Sequence, residues 1–182
     1  MKKYVFAAMW LLMNTVCAWG VQFDKNPSAD KPEVGSSVIT AREVFRQNIP
    51  ATARQFIGTP YEYGGNPLTS GTTDNSYLFF AIYTTAAQRA GLTYHGYLPM
   101  ARLLKNVSQI DENQVQKGDL MVLNNQLAAM VFDIEDTGRL HLIYVSEKRR
   151  QVISFHSDNL VFEVFWLKNM TGFFRLKEAM LR

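Results

Sequence analysis

The chain has 182 residues, 47% of them apolar, 19% charged and 13% aromatic, which excludes a disordered chain and suits one globular domain with a single core. Lys and Arg number 19 against 16 Asp and Glu, and removing Lys2 and Lys3 with the leader described below leaves 17 against 16, without the concentrated basic excess of a nucleic-acid binder. A single cysteine, Cys17, excludes an intrachain disulfide and a cysteine-based zinc site.

In chain order, Met1-Lys2-Lys3 precedes an apolar run over residues 4–13, and Ala18-Trp19-Gly20 places small residues where a signal peptidase reads. Residues 1–20 therefore read as a secretory signal peptide, whose cleavage leaves a mature chain without cysteine. The alternative is an uncleaved anchor, because residues 4–23 approach the ~20 residues that a membrane span requires. Val16 and Asn14 ahead of Cys17 do not provide the small-residue setting of a lipid-modified cysteine. Residues 21–35 carry turn formers and charges without periodicity and read as a flexible lead-in to one domain over residues 36–182.

Ser36 or Ser37 is expected to cap a helix carrying Val38, Ile39, Ala41, Val44 and Phe45. Pro50 suits the first turn of a second helix that runs through Ala53, Phe56 and Ile57 and stops at Gly58. A Gly- and Pro-rich loop over residues 59–73 leads to the main helix, residues 74–90. There Asp74 is the expected N-cap, Leu78, Phe79, Ile82, Tyr83 and Ala86 recur at helical spacing, and Gly91 closes the run. A shorter helical stretch is expected over residues 100–105.

From Gly118 the period becomes that of extended chain. Residues 119–123, 127–134, 140–145, 151–155, 160–165 and 173–176 are short runs of Val, Ile, Leu and Phe. Turn signals separate them at Asn124-Asn125, Asp136-Thr137-Gly138, Lys148-Arg149-Arg150 and Ser157-Asp158-Asn159. Helices followed by an antiparallel sheet predict an α+β fold. Phe162, Phe165, Trp166, Phe173 and Phe174 are expected in the core or on a sheet face, and Lys148-Arg149-Arg150 in a solvated hairpin turn.

Three motifs occur in a fixed order: Gly58-Thr59-Pro60-Tyr61-Glu62-Tyr63-Gly64-Gly65, then Gly71-Thr72-Thr73-Asp74-Asn75-Ser76 at a helix start, then Lys117-Gly118-Asp119-Leu120 at a strand start. Together they resemble the NlpC family of secreted cell-wall peptidases, which has a papain-like fold. The resemblance spans residues 51–155. It implies N-terminal helices packed on an antiparallel β-sheet, with a cysteine nucleophile on the first turn of a helix. There the helix dipole and unpaired N–H groups lower the thiol pKa, and an imidazole from the facing sheet acts as base.

Carried over position by position, the resemblance puts the family's cysteine on Asn75, its base on Leu127, or on Ala128 after a one-residue slip, and its third polar residue on Tyr144. None of these side chains does the required chemistry, since a carboxamide is not an acyl-transfer nucleophile and Leu or Ala accepts no proton. Tyr61, Asp74 and Ser76 match groove-lining positions of the family, where the tyrosine shapes the wall and the aspartate and serine help hold the free amino end of a stem peptide. Each also has a structural reading, as a packing residue, a helix cap and a first-turn partner. Tyr77, the fourth candidate ligand-binding residue, replaces the family's glycine, and a ring there could fill the groove, which counts against retained binding. Ser76 is the one alternative nucleophile, but His95, His141 and His156 are not placed to serve it, and His141 and Tyr144 fall on opposite faces of one strand. No metal-ligand spacing and no cofactor motif is present.

The expected function is that of an exported, catalytically inactive NlpC-like domain of the bacterial envelope, periplasmic or extracellular. It would bind a peptidoglycan stem peptide or an envelope protein through the former active-site groove, without nucleic acid or metal, and would meet membrane only through an uncleaved leader. Two alternatives remain at this point. One is an interaction component with a filled groove, in which Tyr77, Leu127 and Tyr144 pack together. The other is a hydrolase built around Ser76.

Overall fold

A computed structural model describes residues 39–124 and 127–182. The leader, Cys17, the lead-in over residues 21–35 and the Ser36 or Ser37 cap lie outside the described residues.

The two helices expected before Gly58 are one. Helix α1 is Ala41–Arg54, capped by Thr40, whose hydroxyl accepts from the Glu43 N–H at 3.2 Å, and Pro50 lies inside it. Pro50 removes one ladder hydrogen bond from α1. Its ring is buried, as are Phe45, Ile49 and Ala53, so one packed face holds the helix together across the proline. Arg54 and Lys117 both pair with Asp133, tying the C-terminal end of α1 to the sheet. Helix α2 is Asn75–Arg89 with Asp74 as its N-cap, and α3 is Met100–Leu103, continued by a 3₁₀ turn at Leu104–Asn106.

Among the described residues, six strands form one antiparallel sheet in the order β1-β6-β2-β3-β4-β5. They are β1 Val107–Ile110, β2 Leu120–Leu123, β3 Leu127–Ile134, β4 Leu140–Ser146, β5 Gln151–His156 and β6 Met170–Leu176. Strand β1 was not expected from the sequence. Its partner is β6, 69 residues on in the chain at Val107↔Leu176 and 63 at Ile110↔Phe173, a pairing that no local pattern reveals.

Both faces of the sheet are covered. Ala128, Met130, Ile143 and Val145 join Phe45, Ile49, Leu78, Phe79 and Ile82 in a helix-side core. The alternate residues Ala129, Val131 and Leu142 join Phe162, Trp166 and Phe173 in an outer core. Burial on both faces explains why β3 reads as an unbroken apolar run instead of an alternating one.

The strand expected at 160–165 is absent. That segment is helical, with a π-helical turn at Phe162–Leu167. Asn159 starts it: its side-chain oxygen accepts from the Val161 N–H at 2.8 Å and its carbonyl from the Phe162 N–H at 2.8 Å. Phe162 and Trp166, four residues apart, then lie buried on the outer face of the sheet, while Phe165 is about half exposed. Phe173 is buried as expected and Phe174 partly so.

Candidate functional site

The site forms where the N-terminus of α2 meets the ends of β3 and β4. Asn75 is the first residue of α2, and its carboxamide enters the sheet. Nδ2 donates to the Ala128 carbonyl at 2.8 Å, and Oδ1 accepts from the Val145 N–H at 2.9 Å. The last direct pair between β3 and β4 at this end is Met130↔Ile143. Two residues further along, the same register sets Ala128 opposite Val145. The carboxamide thus stands between a carbonyl and an N–H that would otherwise bond each other, as an inserted peptide group would, and both of its polar atoms are occupied.

Asp74 fixes the approach to this point. Its Oδ1 accepts from the Tyr77 N–H and its Oδ2 from the Gly64 N–H, both at 2.9 Å, so it caps α2 and also holds the preceding loop. In that loop the Thr72 hydroxyl donates to Glu62 at 2.6 Å. Gly65 packs so closely on Thr72 that an added Cβ would lie 2.6 Å from the Thr72 hydroxyl and 2.9 Å from its carbonyl carbon, which accounts for the second glycine of the Gly64-Gly65 pair. The Ser76 hydroxyl accepts from the Met100 N–H at 3.1 Å.

These elements surround an open groove of about 450 Å³. Its lining includes Tyr61, Asp74, Asn75, Ser76, Leu127 and Tyr144, so six residues drawn from four separate stretches of sequence meet at one place. Leu127 and Tyr144 reach it from the outer-core side. Tyr144 packs edge-on against Trp166, ring centroids 5.0 Å apart, and Leu127 borders the same cluster. Ala128, the alternative base position, is fully buried on the helix side.

Tyr77 is elsewhere. Its ring stacks on Tyr97 with centroids 3.9 Å apart and meets Phe80 edge-on at 6.3 Å, lining a neighbouring depression beneath the Gly64 loop. It does not fill the groove, and Tyr77, Leu127 and Tyr144 do not pack together. The reason is local: Asp74 holds the Tyr77 N–H on the first turn of α2, and the aromatic surface of Tyr97 and Phe80 lies to the side of that turn. Burial, together with nearby Asp74, Tyr77 and Tyr63, raises the Tyr97 phenol above its ordinary pKa, partly offset by the neighbouring Ser76 hydroxyl.

Five further lining residues were not singled out from the sequence: Tyr63, Met100, Val145, Ser146 and Glu147. Val145 and Ser146 simply continue the strand that carries Tyr144, and Glu147 opens the turn after it, a signal open to any strand-end reading. Tyr63 lies within the Gly-Thr-Pro-Tyr motif and is 89% exposed. Arg150, from the expected hairpin turn, has its guanidinium 4.8 Å from the centroid of the Tyr61 ring, and its carbonyl accepts from the Tyr61 N–H at 2.9 Å. The turn thus supports one wall of the groove.

Asp74 and Glu147 are the groove's charged lining residues, with the Arg150 guanidinium standing over its Tyr61 wall. None of the three histidines lines it. His141 bonds Glu135 at 2.6 Å and lies tilted against His156, ring centroids 4.3 Å apart, on β4 and β5. Among the described residues no group of three or more His, Cys, Asp or Glu side chains is arranged to hold a metal ion.

No model of a known protein family matches the sequence, and no curated protein matches it. Among solved structures, the chain is similar to a Staphylococcus aureus protein described as similar to lipoprotein, of the NLP/P60 family, at 17% identity with a TM-score of 0.52. The match covers 72% of this chain and 41% of that one, so the chain spans less than half the length of that structure. With helices packed on a six-stranded antiparallel sheet, the chain has an α+β, NlpC-like fold.

Proposed function

We propose that residues 36–182 form an exported NlpC-like domain that has lost peptidase activity and binds a cell-wall stem peptide, or an envelope protein presenting similar chemistry, through the groove. The observation that carries the reading is the state of Asn75. At the position where the resemblance puts the nucleophile, the side chain is neutral and both its polar atoms are committed to backbone groups of β3 and β4. No lining residue of the groove is a histidine, so the Ser76 hydroxyl has no imidazole base beside it. Against a filled groove stands its volume of about 450 Å³, within the range of ligand sites, with Tyr77 stacked outside it. Asp74 and Glu147 suit a ligand that carries an amino group. Residues 1–20 supply the export signal in this reading, and cell-wall material is the matching environment.

Co-sedimentation with purified peptidoglycan, combined with an assay for newly released amino groups, tests both halves. The chain should pellet with peptidoglycan, Tyr61→Ala should weaken pelleting, and amine release should stay at the protein-free level. Peptidoglycan-independent sedimentation would remove the binding role. Turnover abolished by Ser76→Ala would remove the loss of activity.

A further inference from the structure

A second cleft, about 230 Å³, opens between α1, β6 and the C-terminal residues, and it shares no lining residue with the groove. Arg42, Arg46 and Arg175 border it, and Phe45, Leu176 and Leu181 supply apolar wall. Arg42 and Arg46 lie four residues apart on α1, a spacing at which like charges repel. Asp119, only 1% exposed, already accepts three hydrogen bonds. Arg175 donates to it through Nε at 3.0 Å and Nη2 at 2.7 Å, and the Gln116 N–H donates to its Oδ2 at 2.8 Å. Arg46 is left with one hydrogen bond, from Nη1 to the Lys117 carbonyl at 3.0 Å, because its 3.6 Å approach to Asp119 is too long for another. Arg42 has only a 3.8 Å approach to Glu178, whose side chain is 88% exposed. Burial lowers the Arg46 guanidinium pKa; nearby Asp119 opposes the shift and Arg175 adds to it. Among the described residues, two guanidinium groups with unused donors therefore border one small, partly apolar cleft.

We propose that this cleft binds a small carboxylate with an apolar body, the anion held by Arg42 and Arg46 and the body lying against Phe45, Leu176 and Leu181. The guanidinium fork matches a carboxylate through paired N–H donors. Three cations against Asp119 and Glu178 leave one net positive charge, which a monoanion neutralises. A phosphate dianion would instead add to the negative charge that the two carboxylates already provide. The volume falls below the ~300–1,000 Å³ of sites for drug-sized ligands, so the body is about the size of one amino-acid side chain. The same chemistry is offered by a free acid and by the terminal carboxylate of a peptide ending in an apolar residue.

The test titrates the full chain, by calorimetry and by NMR of arginine side-chain N–H signals, with N-acetylleucine, N-acetylleucinamide, a short peptide ending in a leucine carboxylate, and inorganic phosphate. Saturable binding of at least one carboxylate is expected, with the amide and Arg42→Gln each weaker by about tenfold or more, the scale of a lost charge-assisted hydrogen bond. Arg46→Lys keeps the charge but not the fork and should bind at an intermediate level. Tighter binding of the free acid assigns the cleft to small metabolite-like acids, and tighter binding of the peptide assigns it to a chain terminus. Arg42 makes no hydrogen bond in the described residues, so its variant should unfold at the wild-type midpoint and remain informative if Arg46 variants do not fold. Binding of neither carboxylate, equal binding of acid and amide, tighter binding of phosphate, or wild-type affinity in a folded Arg42→Gln chain would each overturn the proposal.

Discussion

Asn75→Asp changes one atom of the carboxamide, and the consequence follows from which atom it is. Oδ1 can still accept from the Val145 N–H, but the atom facing the Ala128 carbonyl becomes a second acceptor in place of a donor. Losing that hydrogen bond removes about 1 kcal/mol, and leaving the carbonyl unpaired against an oxygen costs about 1–3 kcal/mol more. The positive end of α2 favours a carboxylate at this position by ~0.3–1 kcal/mol, too little to compensate. The net loss at pH 7 is about 1–3 kcal/mol, or a thermal midpoint lower by roughly 3–10 °C for a domain of this size. A protonated carboxyl restores the donor, so folding raises the pKa of the introduced group above the ~3.9 of a free Asp. With a raised folded-state pKa, the variant regains stability below the unfolded pKa and loses it as pH rises through the folded one. Thermal unfolding followed by circular dichroism across this range, read as the difference from wild type at each pH, should show a gap that closes on acidification. Asn75→Ala should show a gap that does not. A pH-independent difference for Asn75→Asp, or none at pH 7, would refute the insertion of the carboxamide between the strands.

Asp74→Ala removes the cap of α2 and the tie to Gly64 together; stability should fall by about 1–2 kcal/mol and amide exchange at both Gly64 and Tyr77 should quicken, as read by hydrogen-exchange NMR. Protection retained at Gly64 would show that the loop is held by other means. Gly65→Ala forces a Cβ into Thr72 and should cost about 1–3 kcal/mol in urea unfolding, with an unchanged midpoint counting against the close approach. In an Asn75→Cys chain, alkylation of the thiol at neutral pH should quicken when Leu127→His is added and an imidazole enters the same groove. An equal rate in the folded double variant would mean that residue 127 does not face residue 75.

The α+β class and the extents of α2, β3, β4 and β5 were legible in the sequence because they rest on local signals. Asp74 before the apolar run caps a helix by its own side chain, and Gly118-Asp119-Leu120 and the Asp136-Thr137-Gly138 turn mark strand limits by backbone preference. The ordered Gly-Thr-Pro-Tyr, Asp-Asn-Ser and Gly-Asp-Leu motifs added the expectation of an NlpC-like fold, and the groove residues those motifs bring together, Tyr61, Asp74, Asn75 and Ser76, follow from that expectation. Where local signals were equally good for two outcomes, the reading failed. Pro50 suits the start of a helix as well as a buried place within one, and residues 160–165 have the β-branched and aromatic content of a strand although Asn159 caps them as a helix.

The features decided only in three dimensions are those that depend on partners distant in the chain. Strand β1 exists because β6 offers it an edge, and residues 160–169 are helical because Phe162 and Trp166, one turn apart, cover an outer sheet face that would otherwise meet water. Tyr77 lies outside the groove because Tyr97 and Phe80 offer its ring a stacking surface there. The sequence alone puts a neutral carboxamide, Asn75, at a helix start where the resemblance places the family's cysteine. What the carboxamide does instead, bridging Ala128 and Val145 where two strands part, depends on a carbonyl and an N–H that are 53 and 70 residues away in the chain and become neighbours of Asn75 only when the sheet forms beneath α2.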